Sequence, residues 1–346
     1  MNNSLAVVLI ASGIAYGTPL LFASLGELLA ERSGVLNLGV EGMMLVGAVT
    51  GFWTVQRFHA ATAVTLLLAL VVAAVAGAAM ASILAVLVIT LRANQIVTGL
   101  ALTIFAGAAG LSSYLGNDLN LADQPAHHAF QAFLPNSMQN WPIVGPILFG
   151  QNPLVYFSWV CVIVIALYLS RTRPGLNLRS VGESPAAADT MGIDVTRYRY
   201  VHTLLGGAFA GLGGATITLA ITPQWVDGIT GGAGWIAIAL VIFAFWRPEL
   251  CLVGAYFFGA LQALAPQLQA RNIEIGPTVL WANCLPYVMT IVVLVAVSAS
   301  GARRRLGAPA ALGEPYVELE LNDMPHPTLE QTWGEHALCE IMFETP

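Results

Sequence analysis

Long apolar runs fill most of the chain, and its charges fall between them rather than inside them. A helix needs about 20 apolar residues to cross a bilayer. The stretches between charges predict helices near 5–26, 36–56, 60–91, 95–116, 152–170, 200–222, 232–246, 249–268 and 281–300. The third is too long for one upright span and too short for two with a turn, which predicts one tilted helix open to a break near Gly77. The short 232–246 segment follows Gly228, Gly231, Gly232 and Gly234, which predicts a half-helix or re-entrant piece. The expectation is an all-α, polytopic membrane helix bundle of about nine spans, within a range of eight to ten.

Composition supports a membrane protein. Of 346 residues, 57% are apolar and 9% charged, against about 25% charged in soluble domains. Lipid is therefore the first expected partner. All 13 basic residues are Arg. Without Lys the chain cannot form a P-loop or a Schiff base. Its net charge of −6 arises in residues 314–346, which hold Glu314, Glu318, Glu320, Asp323, Glu330, Glu335, Glu340 and Glu344 but no Arg. The division expected is a transmembrane domain at 1–301 and a cytoplasmic, partly disordered acidic tail at 302–346.

Arginine also predicts orientation. With nine spans and the N-terminus outside, Arg32, Arg92, Arg171, Arg173, Arg179, Arg197, Arg199, Arg247 and Arg303–Arg305 fall inside. The Pro-rich segment 117–151 is then outside. The N-terminus lacks the basic n-region and A-x-A site of a cleaved signal peptide.

Polar groups in spans are costly and often functional. Glu27, four residues before Glu31, is expected near a span end facing the headgroups. Glu41 shares a helical face with Asn37. The pair fits a cap or interhelical hydrogen bond near the inner surface, or a polar pathway lining. Asn94, Gln95 and Asn283 are further pathway candidates, or interhelical clasps. The spacings Gly13/Gly17, Gly47/Gly51 and Gly207/Gly211 predict close helix packing. The four Cys and the His127–His128 pair have no metal-ligand spacing. Catalytic motifs are absent, and the arginines form no stripe with aromatics that would favour nucleic acid.

The segment 171–199 carries five Arg and is not low-complexity. Ser184 is a good N-cap, Pro185 a good first helical residue, and Gly192 a good terminator. They predict a short helix at 185–191, between two spans. With Gly182, Ala187 and Ala188, its small residues suit docking into another protein's groove.

RSVGESPAAADTMGIDVTRYRY in this segment resembles the ATPase-contacting loop of ABC permeases of the branched-chain amino acid and simple-sugar importer family. ERSGVLNLGVEGMMLVGA at 31–48 is similar to the N-terminal signature of its nucleoside-type branch. LPYVMTIVVLVA at 285–296 and PAALGEPY at 309–316 resemble that branch's last span and ending. The resemblance covers about residues 5–316, with Ser184 where the family usually has Asn. It implies a permease subunit of the cytoplasmic inner membrane. The implied partners are an ABC ATPase subunit, which would hold ATP and Mg, a second homologous permease and an extracytoplasmic substrate-binding protein. Gly182, Glu183, Ser184, Pro185, Ala187, Ala188, Gly192 and Ile193 would form the ATPase-coupling contact. No cofactor would be bound by this chain. The implied substrates are nucleosides, then simple sugars, then branched-chain amino acids. A secondary transporter would need coupling carboxylates or broken helices at the midplane, and a membrane enzyme a catalytic constellation.

Overall fold

Helix α10 (Val195–Thr216) is the packing axis of the bundle: α1 (Leu5–Arg32), α2 (Val40–Arg57) and α3 (Thr62–Ala85) all lie against it. The computed structural model describes residues 5–58, 61–107, 109–122, 124–139, 141–271, 278–299 and 307–316. The remaining helices are α4 (Gln95–Ala106), α5 (Leu111–Asp118), α6 (Asn136–Gln139), α7 (Pro153–Arg171), α8 (Arg173–Glu183), α9 (Pro185–Thr190), α11 (Ala233–Phe243), α12 (Pro248–Ala270) and α13 (Thr278–Ala299). Helices α3 and α10 each end in a π-helical turn, Val86–Thr90 and Ile217–Ile221.

In lipid, close backbone approach replaces the hydrophobic drive that packs soluble helices. A Cβ at Gly77 would lie 2.1 Å from the Gly207 carbonyl oxygen, and one at Gly47 2.4 Å from Gly211 Cα. Helix α1 meets α12 in the same way, with a Cβ at Gly259 falling 2.3 Å from the Gly13 oxygen. The third stretch is one long helix, as expected, and it runs unbroken through Gly77, which serves helix contact.

Six described helical stretches are long and apolar enough to cross a membrane: Leu5–Arg32, Thr62–Thr90, Gln95–Asp118, Pro153–Arg171, Val195–Ile221 and Pro248–Ala270. The chain is a multi-pass helical membrane protein, but a count of about nine spans is not supported. Helix α2 is apolar over too little of its 18 residues, holding Glu41, Thr50, Thr54 and Gln56. Helix α11 has 11 residues, about 16 Å at 1.5 Å per residue, against a core about 30 Å thick.

Glu27 also departs from expectation. It is 1% exposed, as is Glu31. Helix α1 runs on to Arg32, and the following turn folds back so that the Asn37 N–H donates to Glu27 Oε1 at 3.1 Å. Glu31 accepts from the Trp246 indole N–H, while Arg32 Nη2 donates to the Trp246 carbonyl at 3.0 Å. Phe245 and Trp246 both have positive φ, +51° and +54°. That costly corner between α11 and α12 is therefore held by the end of α1.

The first compact unit extends to Pro315, past the expected boundary at 301. Residues 317–346, most of the acidic tail, lie outside the described residues.

Candidate functional site

Two places in the bundle bring functional chemistry together. The first is the arginine-rich end, where α8 and α9 form a corner. Thr172 caps α8 by accepting from Gly175 N at 3.1 Å, and Ser184 caps α9 by accepting from Ala187 N at 3.4 Å. Gly192 stops the helix in the left-handed region at φ +79°. Asp194 then starts α10 by accepting from Arg197 N at 2.8 Å. The helix expected at 185–191 is thus present at Pro185–Thr190.

The predicted residues divide into two faces. Glu183, Ser184 and Ala187 are exposed, with Pro185 and Ile193 half-buried. Ala188 is 3% exposed and packs inward. Gly182 is also buried, and a Cβ there would lie 2.3 Å from the Arg32 carbonyl oxygen. Gly182 and Ala188 therefore seat the corner on the bundle rather than facing outward. Met191, which the sequence reading missed, is 81% exposed at the tip. An apolar side chain beside the terminating Gly192 was the available signal.

A strap of residues 307–315 crosses this end. Its Gly307 carbonyl accepts from Arg32 Nη1 at 3.1 Å, and its Glu314 carbonyl from Arg199 Nη1 at 3.0 Å. Between them, Ala311 N–H donates to Gly182 O at 3.0 Å and Gly313 N–H to Gly34 O at 3.1 Å. Arg199 is 2% exposed, an expensive place for a guanidinium unless it has structural work.

Most of the polar pathway candidates have local roles. Asn94 caps α4, accepting from Val97 N at 3.0 Å. Gln95 Oε1 accepts from Leu36 N at 2.7 Å, and Asn37 Oδ1 from Gly39 N at 3.0 Å. Glu41 is 7% exposed and accepts from Thr230 Oγ1 at 2.5 Å, Gly232 N at 2.9 Å and Gly234 N at 2.7 Å. It caps the N-terminus of α11, where backbone N–H groups and the helix dipole favour an anion. Asn283 lies on α13, but its side chain is outside the described residues.

The second place is a cavity of about 390 Å³ lined by α1, the π turn after α10, the loop leading into α11, α12 and α13. Tyr16, Thr222, Thr230, Gln262 and Tyr287 supply polar atoms among apolar walls. Tyr16 lies about 24 Å along α1 from Arg32, so the cavity is in the far half of the bundle. Helix irregularities converge there. Pro19 lies within the continuous helix α1, Pro286 within α13, and α10 ends in its π turn. Proline in apolar runs was the sequence signal for this site. Among the described residues, no group of three or more His, Cys, Asp or Glu is placed to hold a metal.

The family model described as branched-chain amino acid transport system / permease component matches residues 9–294. The chain belongs to that permease family. A putative glucose ABC transporter permease protein of Haloferax volcanii is 38% identical over 90% of this chain and 98% of its own. A nucleoside ABC transporter permease protein of Lactococcus lactis subsp. cremoris is 35% identical over 84% of this permease and 92% of its own length. A guanosine ABC transporter permease protein of Bacillus subtilis is 33% identical over 90% and 97%. No solved structure matches this permease.

Proposed function

We propose that this permease is the membrane-spanning subunit of an ATP-binding-cassette importer for nucleosides in the cytoplasmic inner membrane. Hydrolysis takes place on a partner ATPase, since the chain has no lysine for a P-loop. Its other partners are a second, homologous permease and an extracytoplasmic binding protein. The remaining short or less apolar segments, including α2, α11 and α13, complete a bundle of about nine membrane-embedded helices.

The observation that carries the proposal is the α8–α9 corner: a short, capped helix between two spans, with an exposed tip at Ala187 and Met191 and a buried base at Gly182 and Ala188. ATP binding would move the ATPase against the tip. The base would pass that motion to α1 and α10, shifting the bundle between two packed states. The permeases for nucleosides and guanosine at 35% and 33% identity support the substrate class.

A simple sugar is the second reading, favoured by the relative named for glucose at 38% identity. The test is reconstitution of the permease with an ABC ATPase, a second permease and a binding protein from the same organism. ATP-dependent uptake of guanosine or uridine supports the first reading, uptake of glucose or ribose alone the second. Uptake that needs no ATPase would refute both.

A further inference from the structure

We propose that the cavity between α1, α12 and α13 is a nucleoside-binding station within this one chain, selective for the base. This rests on the importer reading above and adds where the substrate pauses and what recognises it. The volume of about 390 Å³ lies within the roughly 300–1,000 Å³ range of small-molecule sites.

The lining chemistry is unusual for a membrane bundle. The side chains of Tyr16, Thr222 and Gln262 make no hydrogen bond to another described residue, although each offers polar atoms to the cavity. All three are half-buried, and a polar group without a partner is costly to the extent that it is shielded from water. Those groups have their use when a polar solute is present. Thr230 and Tyr287 lie on the same wall but are already engaged, Thr230 donating to Glu41 and Tyr287 to the Gly231 carbonyl. They fix the wall, while the other three remain open to a ligand.

The set fits a flat heterocycle joined to a hydroxylated ring. Two phenol rings, Tyr16 and Tyr287, offer aromatic surface for a base. The Gln262 amide offers one acceptor and a two-proton donor, which match the mixed edge of a base. The Thr222 hydroxyl suits a ribose hydroxyl. Among the described residues no charged side chain lines the cavity, so an amino-acid zwitterion or a nucleotide phosphate finds no counter-ion among them.

Backbone features place the cavity where motion can open it. Pro19 and Pro286 each remove a helical hydrogen bond on opposite walls, and the α10 π turn borders a third. Prolines within the helices around a partly open polar cavity suit a place where a solute is bound and then released inside a membrane.

The test uses the complete importer in lipid nanodiscs and 8-azidoadenosine as a photolabel. Labelled peptides should map to the parts of α1 or α13 that hold Tyr16 or Tyr287. Excess adenosine or guanosine should displace the label, and glucose or ribose should not. Gln262→Leu and Tyr16→Ala should each reduce labelling about tenfold, the loss expected for an amide or stacking contact with a base, while Tyr16→Phe, which keeps the ring and removes only the hydroxyl, should lose less than Tyr16→Ala. Each variant should keep its membrane level and bound ATPase.

Displacement by glucose as effective as by nucleoside would overturn selectivity for the base. So would loss of label on adding phospholipid alone, which marks a lipid site. Label confined to other helices would remove the station while leaving an importer that still takes up nucleoside. Failure of the wild-type complex to import at all would instead remove the importer reading.

Discussion

The backbone N–H of Ala311 donates to the carbonyl of Gly182 across 3.0 Å. The bond joins a segment beyond α13 to the base of the α8–α9 corner. With Arg32 and Arg199 holding the two ends of the strap, it ties that corner to α1 and α10. The strap, rather than the acidic tail, is therefore the part of the C-terminus that transport is expected to need. Truncation after Tyr316 should leave uptake near wild type, and truncation after Gly307 should reduce it at least about tenfold, since several buried polar partners are lost at once. Radiolabelled nucleoside uptake, normalised to permease in the membrane, separates the two.

A single residue tests the strap without deleting it. Gly313 has φ +82° and open space around its Cα. A valine there meets no neighbour but is strained by about 1–3 kcal/mol, whereas asparagine tolerates the conformation. Gly313→Val should lower transport per ATP hydrolysed, and Gly313→Asn should restore it. Equal coupling in the two variants would show that the strap conformation is irrelevant.

Glu41 accounts for three donors at the N-terminus of α11. Glu41→Ala leaves two backbone N–H groups and a threonine hydroxyl without that partner, a loss of about 2–4 kcal/mol. Glu41→Gln keeps an acceptor and should lose about half as much. Thermal unfolding of the purified permease in detergent should rank them wild type, Gln, then Ala. A reverse order would place Glu41 outside the folding machinery.

How far the sequence could be read depended on the kind of signal. Each predicted apolar stretch overlaps a helix, because bilayer length and the placement of charge constrain a span independently of its neighbours. The caps at Ser184 and Gly192 were legible for the same reason, being local chemistry. Polar side chains were harder. Asn94 and Gln95 are adjacent, yet one caps its own helix and the other reaches Leu36 across the chain. Only the fold decides such partners. Burial of Glu27 needed the return of the turn at Asn37, and Tyr16, Gln262 and Tyr287 are far apart in sequence but share one cavity. The prolines near them were visible, but not that they meet.

The glycine contacts give a sharp steric prediction. At Gly77 even a methyl group would fall 2.1 Å from the Gly207 oxygen, a backbone atom that cannot rotate away. Gly77→Ala should destabilise the bundle by about 1–3 kcal/mol, and Gly77→Leu should prevent a monodisperse protein. Size-exclusion profiles and unfolding midpoints measure both. A wild-type profile for Gly77→Leu would mean that α3 and α10 do not pack this closely.

The coupling corner is tested by two neighbouring alanines with opposite environments. Ala187 is exposed on α9, and Ala188 is buried at 3%. A glutamate at 187 projects into water in the isolated permease, so the fold should be unchanged within about 0.5 kcal/mol. In the assembled importer the same carboxylate would be trapped against the ATPase, where an unpaired charge costs several kcal/mol, roughly a hundredfold or more in association. A glutamate at 188 meets the permease's own interior, so Ala188→Glu should lower the unfolding midpoint before any partner is added. The expected pattern is therefore crossed. Ala187→Glu should fold normally, fail to co-purify with the ATPase and lose uptake, whereas Ala188→Glu should be destabilised alone. Met191→Ser, which removes the 81%-exposed apolar tip, should weaken the complex with no loss of permease stability. If Ala187→Glu keeps its ATPase and imports at the wild-type rate, α9 is a connector, and force must enter the bundle elsewhere.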